Sequence, residues 1–326
     1  MVLRVGILGT GRMAHDFATG LDALDDAVVH AVGSRSLESA QRFAAEFDAP
    51  EAHEGYDALA ANPDVDLVYI ATPHSAHAHL ALMCLDRGKP VLCEKPFAIN
   101  EDETRAVLER SHERRLFVAE ALWSRHLPSY TKLRELLAEE VIGRPQLMIA
   151  GGAFMPPYDP DYYLFDAALG GGVLLDAGVY LVSVASMVFG SPQAIKAVGS
   201  IGEYGVDEHD AIVFEHANGG IAMLYVSLRA QQLPDLTLFG DRGKIYLHGP
   251  VFAPARLTLS VYGRDDVEID LPFEGNGYHY QVADAARRIA AGLIESEVMP
   301  HAETLSIIRT MDEVRRQIGL TYPMED

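Results

Sequence analysis

Residues 4–14 read RVGILGTGRMA, a short apolar run followed by Gly-Thr-Gly and the start of a helical pattern. This order predicts a strand, a tight turn and a helix. Gly9 permits the turn, Gly11 lets the backbone approach a phosphate, and Ala14 keeps the helix close to the strand. The helix would then direct free N–H groups at an anion. The stretch therefore predicts the first βα unit of a dinucleotide-binding domain, with Thr10, Arg12 and Met13 completing the turn.

The same alternation of strand and helix patterns continues to about residue 120. The strands are nearly all apolar, as expected where helices cover both faces of a parallel sheet. Asn100 is a suitable cap for the fourth helix, with Glu103 in the capping-box position. The sequence therefore predicts a doubly wound parallel sheet with strands at 4–8, 28–33, 67–71, 91–93 and 117–120, and helices at 13–24, 37–47, 76–87 and 101–115.

The pattern changes after residue 121 to one apolar helix, 177–189, followed by several strand-like runs between 193 and 271. The segment His216–Gly220 is a predicted hairpin turn, and helical patterns return at 278–291 and 302–318. We therefore expect a second, α+β domain with a largely antiparallel sheet. The predicted domains are 1–121 and 122–326, packed closely around a cleft, and the C-terminal helix is left free to pack back on the first domain.

Composition limits the possible partners. The chain has 26 Lys+Arg and 47 Asp+Glu, so its formal charge is 26 − 47 = −21. This charge disfavours nucleic acid and anionic membrane surfaces. Two cysteines in no Cys-x-x-Cys pair, no leader-like N-terminus and a longest uncharged run of 14 residues predict a cytoplasmic protein without a membrane span.

The end of the second strand predicts the cofactor. An acidic residue there would bind the ribose 2′-hydroxyl of NAD, but the sequence reads Gly33-Ser34-Arg35-Ser36. A hydroxyl and a guanidinium are suited to a 2′-phosphate, whereas the alternative is a solvated arginine in a loop. We therefore expect NADP, with NAD binding more weakly.

Two more motifs follow strands of the first domain. Thr72, Pro73, His74 and His77 are expected at the carboxyl edge of the sheet, against the nicotinamide half of the cofactor. With His79 these histidines also suggest a metal, but the segment lacks a tetrahedral ligand set, so we expect no metal. The strand ending in Glu94-Lys95-Pro96 would direct Lys95 into the same crevice.

The second domain carries one further constellation. Residues 170–180 read GGGVLLDAGVY, which places Asp176 and Tyr180 four residues apart and thus on one helix face. Gly178 between them leaves room for a ring to approach. Tyr180 is equally compatible with a buried core tyrosine, and Asp176 with a helix cap.

Together these motifs resemble the glucose–fructose oxidoreductase, inositol dehydrogenase and rhizopine-catabolism (Gfo/Idh/MocA) family over nearly the whole chain. Residues 120–125 (EALWSR) and Asp176 to Gly190 are most similar to its dimeric dihydrodiol dehydrogenase and NADP-dependent D-xylose 1-dehydrogenase branch. The resemblance implies a Rossmann domain followed by an open-faced sheet domain, through which these proteins form homodimers or homotetramers. It also implies a catalytic pair of Lys95 and Tyr180, a supporting Asp176, and Trp123 and Arg125 lining the substrate site.

The expected function is hydride transfer between NADP(H) and a sugar or cyclic diol. Two alternatives stay open at this point. One is an NADPH-dependent reductase of oxo-sugars or dicarbonyls, and the other is a dinucleotide-binding sensor without turnover. An intact Lys95, Asp176 and Tyr180 set argues against the sensor, because binding alone needs no acid/base pair.

Overall fold

The computed structural model describes residues 2–325, which divide into two compact units. Unit 1 comprises residues up to 123 together with 274–305, and unit 2 comprises 124–273 together with 306 onward. The division predicted from the sequence alone, at residue 121, assigned 274–305 to the second domain. In the structure this segment belongs to unit 1. The predicted domain boundary at residue 121 stays a prediction.

Unit 1 contains a parallel sheet whose six strands follow the order β3-β2-β1-β4-β5-β6. β1 lies between β2 and β4, so the chain reverses its winding direction at that point, where open α/β sheets bind ligands. The predicted doubly wound sheet is confirmed. Its strands are β1 Leu3–Leu8, β2 Ala27–Ser34, β3 Glu51–Glu54, β4 Leu67–Ile70, β5 Val91–Glu94 and β6 Val118–Ala121.

The helices of this sheet begin and end near the predicted residues. Asn100 caps α5 by accepting the Glu103 N–H at 2.9 Å, and Gly88, at φ +78°, follows α4. The helices are α1 Arg12–Leu21, α2 Leu37–Glu46, α3 Asp57–Ala60, α4 His77–Asp86 and α5 Glu101–Arg114.

β3 and α3 were not predicted from the sequence. β3 reads EAHE and lies at the sheet edge, where it pairs only with β2 among the described strands. An edge strand with two glutamates lacks the apolar run by which the other strands were identified. α3 has only four residues, too few for a helical period to show.

Residues 274–305 pack on α1. The Asn276 amide donates to the Asp16 carbonyl at 2.6 Å, and a Cβ at Gly20 would lie 2.7 Å from the Tyr278 Cβ. Gly20 therefore lets this segment pack closely against α1, because a side chain at this position would clash with it. It contains α8, His279–Ala290, and the start of α9, His301–Ile318.

Unit 2 is built on an eight-stranded sheet in the order β14-β13-β12-β11-β7-β10-β9-β8. The sheet is mixed, because β7 and β10 run parallel and the other pairs run antiparallel. Its strands are β7 Pro145–Ala153, β8 Pro192–Ile201, β9 Asp207–His216, β10 Ile221–Ser227, β11 Gln232–Gly240, β12 Gly243–Leu247, β13 Arg256–Val261 and β14 Val267–Asp270.

The predicted hairpin turn between β9 and β10 is confirmed by a hydrogen bond from His216 N to Gly220 O at 2.9 Å. The analysis missed β7 and the helix α6, Pro128–Ala138. β7 ends in Gly151-Gly152-Ala153, which has little strand character. Gly151 is required there for packing, because a Cβ would lie 2.4 Å from the Tyr225 ring.

One apolar helix forms the core of unit 2. A π-helical turn, Leu174–Gly178, leads directly into α7, Val179–Phe189. The stretch Ala167–Phe189 is long and apolar enough to cross a membrane by length and composition alone, but 78% of its most apolar window is buried inside the structure. The helix therefore fits the role of a core helix.

The edge strand β8 is held by one side chain of α9. The Gln317 side-chain amide donates to Ile195 O at 2.9 Å and accepts from Ala197 N at 2.8 Å. These two bonds occupy one donor and one acceptor of the outer strand edge, as a neighbouring strand would.

Candidate active site

The turn after β1 leaves space for a phosphate. Gly9 has φ +104°, and a Cβ there would lie 2.5 Å from the Ala71 carbonyl oxygen, so only glycine fits. A Cβ at Gly11 would meet nothing within 4 Å. Gly11 also begins α1, and no described side chain caps that N-terminus. The first-turn N–H groups of α1 are therefore available to an anion, as the glycine pattern predicts.

The other residues of this turn differ in exposure. Arg12 is 89% exposed and lies 3.6 Å from Asp16, one helical turn on. Thr10 and Met13 are half-buried. The predicted contacts of Thr10, Arg12 and Met13 with a cofactor stay predictions.

Ser34 and Arg35 lie where β2 ends, next to the Gly9 turn. Gly9 N donates to Gly33 O at 2.9 Å, so the two strand ends are adjacent. Ser34 is buried with its hydroxyl accepting from Ser36 N at 3.4 Å, and Arg35 is exposed. The Arg35 charge lowers the pKa of Tyr56, although burial is the larger influence and raises it overall. An exposed guanidinium beside a buried hydroxyl is compatible with a 2′-phosphate site.

The segment after β4 has one fully buried residue. His77 Nδ1 lies 2.8 Å from Pro96 O, and Nε2 lies 2.9 Å from Thr72 O. Burial lowers the pKa of His77, and the two carbonyl contacts partly offset that effect. The His77 ring therefore ties the Thr72 loop to the Lys95–Pro96 turn. Its predicted contact with the cofactor stays a prediction.

The rest of this segment is more accessible. Thr72 Oγ1 is buried and has no hydrogen-bond partner among residues 2–325, which fits a loop that contacts a ligand. Pro73 is half-buried, and the His74 ring lies edge-on to His77 at 5.7 Å between centroids. These positions agree with the carboxyl edge expected for them.

Glu94 ends β5, and Lys95 and Pro96 follow it at the same edge of the sheet. The Glu94 carboxylate is buried, accepts the Tyr69 hydroxyl, and accepts the Lys95 N–H at 3.1 Å. Glu94 thus shapes the backbone at Lys95 from within the sheet. The sequence analysis missed Tyr69, whose hydroxyl in an otherwise apolar strand was the only available signal.

Asp176 and Tyr180 lie on the core helix of unit 2. Asp176 is half-buried in the π-helical turn and accepts the Tyr163 hydroxyl at 3.2 Å. Tyr180 is buried in the first turn of α7, with its ring 5.7 Å from that of Phe252. Single π turns inside helices occur often at functional sites. Tyr163 was not identified from the sequence, because it lies in a 3₁₀ turn of only three residues, Tyr163–Phe165.

Arg125 and Trp123 are both buried. Arg125 donates to the Ser183 hydroxyl at 2.7 Å and to the Ser183 carbonyl at 2.8 Å, so it anchors α7 from the side. Trp123 stacks on Tyr278 with centroids 4.7 Å apart. Their predicted contacts with substrate stay predictions.

One other group of residues in unit 1 could hold a metal ion. Ligand atoms of His30, Glu51 and Asp64 lie within 4.8 Å of one another. Asp64 is already paired with Arg4 at 2.6 Å, which opposes a bound cation there. The group involves none of His74, His77 and His79, the histidines that suggested a metal from the sequence.

Comparison with known proteins gives a consistent result over the whole chain. Residues 3–122 match the family model for the GFO/IDH/MocA oxidoreductase family with an NAD-binding Rossmann fold, and residues 130–246 match that family's C-terminal domain. The chain belongs to the Gfo/Idh/MocA family. The resemblance noted in the sequence is therefore confirmed, and the protein is an oxidoreductase by family.

Relatives in this family include a trans-1,2-dihydrobenzene-1,2-diol dehydrogenase from Xenopus laevis, 33% identical over 99% of this chain and 100% of that protein. Among solved structures, KijD10, a 3-ketoreductase from Actinomadura kijaniata in complex with NADP and TDP-benzene, is 26% identical with a TM-score of 0.87 and covers 98% of each chain. A levoglucosan dehydrogenase with NADH and levoglucosan has a TM-score of 0.89 at 19% identity over 98% of each chain, which supports the fold.

Proposed function

We propose that the protein is an NADP(H)-dependent oxidoreductase that transfers hydride between nicotinamide and a sugar or cyclic diol. The observation that carries this proposal is the shared edge at which four strands of unit 1 end. The uncapped start of α1 follows β1, and the Ser34-Arg35 pair lies at the end of β2. The unpartnered Thr72 hydroxyl follows β4, and the Lys95 turn follows β5. Full-length similarity to a dihydrodiol dehydrogenase supports the substrate class.

NADP fits this edge by the chemistry of its residues. The N–H groups of α1 and the open space at Gly11 suit the pyrophosphate, and Arg35 with Ser34 suits the 2′-phosphate. When bound, the nicotinamide supplies the hydride acceptor or donor. Similarity to KijD10, which was solved with NADP, agrees with this preference.

In this proposal Tyr180 accepts the proton of the substrate hydroxyl. A phenol with an ordinary pKa near 10 is a weak base at neutral pH, so the proposal gives Lys95 the task of favouring the ionised form. Asp176 orients the substrate hydroxyl or the lysine. KijD10 has also been solved with a lysine replaced by alanine or glutamate and with a tyrosine replaced by phenylalanine, which supports a lysine and a tyrosine as the pair of interest.

Partners and setting follow from the same reasoning. We propose a homodimer or homotetramer formed through the outer face of the unit 2 sheet, in the cytoplasm, with no metal needed for turnover. The two cysteines are free and buried, which suits a reducing compartment. No contact with nucleic acid or membrane is part of the proposal.

A second candidate is a reductase acting on an oxo-sugar or dicarbonyl with NADPH, favoured by the similarity to a 3-ketoreductase. One assay separates the two. The purified protein is given aldoses, polyols and trans-dihydrodiols with NADP, and oxo-sugars and dicarbonyls with NADPH, while nicotinamide absorbance is followed. Turnover of the first group alone supports the dehydrogenase, and turnover of the second alone supports the reductase. If neither group is turned over while NADP still binds, the protein is a sensor and both proposals are wrong.

A further inference from the structure

Two buried carboxyl groups of unit 2 lie on β9, the strand that contacts the glycine loop before Asp176. Asp207 begins β9 and is fully buried, and Asp210, three residues on, is 3% exposed. Among the described residues, Asp207 Oδ1 and both carboxyl oxygens of Asp210 are buried and accept no hydrogen bond. Burying two such groups together is unfavourable unless a proton or a cation compensates.

Asp207 holds the start of the core helix. Its Oδ2 accepts the Leu174 N–H at 2.7 Å, at the first residue of the π-helical turn that contains Asp176. The nearby N–H groups of Val173 and of Asp207 itself also favour the charged form of this carboxylate and so lower its pKa. Asp207 thus stabilises the start of the helix, where backbone N–H groups have no intrahelical partners.

The glycine run makes room for that carboxylate. Gly172 has φ +107°, and a Cβ there would lie 2.0 Å from Asp207 Oδ1. Gly171 is held from the other side, because its carbonyl accepts the Tyr322 hydroxyl at 2.5 Å. The loop is therefore fixed between β9 and the C-terminal segment, which explains the glycines that the sequence presents only as a motif.

We propose that Asp207 and Asp210 share one proton, and that Asp207 acts as a positioning residue that sets the helix carrying Asp176 and Tyr180. In this arrangement Asp207 is ionised and accepts the backbone N–H groups, and the protonated Asp210 donates to Asp207. The inference rests on the proposed function only in giving Tyr180 a catalytic task.

Electrostatics agree with this assignment of the proton. Burial and the Asp207 charge raise the pKa of Asp210 to about 9. The hydrogen bond from Asp210 and the backbone N–H groups favour the charged form of Asp207, against the burial that raises its pKa. Tyr322 of the C-terminal segment interacts electrostatically with both aspartates and also with Arg315 and Glu325. Glu208, the residue after Asp207 on β9, is paired with Arg229.

Substitution of Asp207 tests the positioning role. Asp207→Ala should lower kcat at least tenfold while the Kd for NADP, which binds unit 1, stays unchanged. Asp207→Asn keeps an oxygen acceptor and should recover part of the loss. The matched control is Asp166→Ala, because Asp166 accepts a neighbouring backbone N–H, that of Ala168, at 2.8 Å but does not hold the core helix. An unchanged kcat in Asp207→Ala would overturn the proposal.

A second measurement does not depend on turnover. Hydrogen exchange of the peptide covering 171–180 should be faster in Asp207→Ala than in wild type and unchanged in Asp166→Ala. If the substrate assay fails but exchange changes as expected, the positioning arrangement stands and only the proposed function falls. Unchanged exchange overturns the arrangement itself.

The shared proton is tested through pH. The folded state keeps the Asp210 proton between about pH 4 and 9 and the unfolded state loses it near pH 4, so wild-type stability falls as the pH rises through this window. Asp210→Asn, which keeps a donor to Asp207 without titrating, should lack that fall. Its Tm relative to wild type should therefore increase from pH 5 to pH 9. A constant Tm difference would show that no proton is shared.

Discussion

His77 lies in the motif that is predicted to contact the cofactor, and its ring also joins two loops. Both of its ring nitrogens face backbone carbonyl oxygens, at 2.8 and 2.9 Å. A neutral imidazole has one N–H, so it donates to only one carbonyl, whereas burial lowers the pKa at which the doubly protonated ring forms. The sequence predicts the location of His77 correctly but cannot reveal its burial, because burial depends on loops from two different strands.

Arg35 offers a direct test of cofactor choice. Arg35→Ala should weaken NADP binding about ten- to a hundredfold, the equivalent of ~1.5–3 kcal/mol for one charged hydrogen-bonded pair, and leave NAD binding nearly unchanged. Titration of both cofactors by nicotinamide fluorescence in the two proteins measures this. Arg42→Ala, another exposed arginine, on α2, is the control and should alter neither Kd. Equal losses for NAD and NADP would contradict a 2′-phosphate role.

Tyr180 can be tested by removing one oxygen atom. Tyr180→Phe should lower kcat by about 10²–10⁴-fold, the usual contribution of general acid–base catalysis, while NADP affinity and Tm change little. Steady-state kinetics on the best substrate of the panel measures the effect. Tyr262→Phe, at an exposed tyrosine of the same unit, serves as the comparison and should keep wild-type kcat. Turnover of Tyr180→Phe within about twofold of wild type would assign Tyr180 to the core, the other interpretation of its sequence position.

At the scale of elements, the sequence predicts best where one strand or helix carries its own signal. The strands β1, β2, β4, β5 and β6 are mostly apolar and were predicted, and Asn100 marks α5 by its cap. β3 and β7 were missed, because their strand character depends on neighbours that the local sequence does not reveal. Asp207 was not identified for the same reason. Its role depends on contact between β9 and the glycine loop, which the local sequence does not reveal.

The two glycines of the first βα turn have different roles, because Gly9 forms the turn and Gly11 leaves space for the cofactor. Gly9→Ala should lower stability by about 1–3 kcal/mol, because a side chain at φ +104° is strained and would meet the Ala71 carbonyl at 2.5 Å. Gly11→Ala has open space and a φ of −82°, so Tm should hold while NADP binding weakens. Thermal melts and NADP titrations of both variants separate the tasks. A Gly9→Ala protein as stable as wild type would show that the turn adapts.

On the scale of the whole molecule, the unit 2 sheet has an apolar row on its outer face. Val213, Met223 and Ile149 are adjacent across β9, β10 and β7, and each is 39–46% exposed. A contiguous exposed apolar row on a sheet is the kind of surface that protein interfaces cover. The row therefore supports the proposed association of subunits through this face.

Met223→Glu should dissociate the proposed oligomer, because burying an unpaired carboxylate at the centre of the row is unfavourable. Light scattering coupled to size exclusion should give a single-chain mass for this variant and a multiple of it for wild type. Val267→Glu, at an exposed site on the edge strand β14 of the same sheet, should leave the mass unchanged. A wild-type protein that runs as one chain would remove the oligomer from the proposal.

The Gln317 side-chain amide occupies two backbone groups at the outer edge of β8, Ile195 O and Ala197 N. An unpaired strand edge is where a strand from another molecule can add to a sheet and start aggregation. The helix α9 therefore does more than pack on the sheet, because its Gln317 blocks strand addition at these two groups.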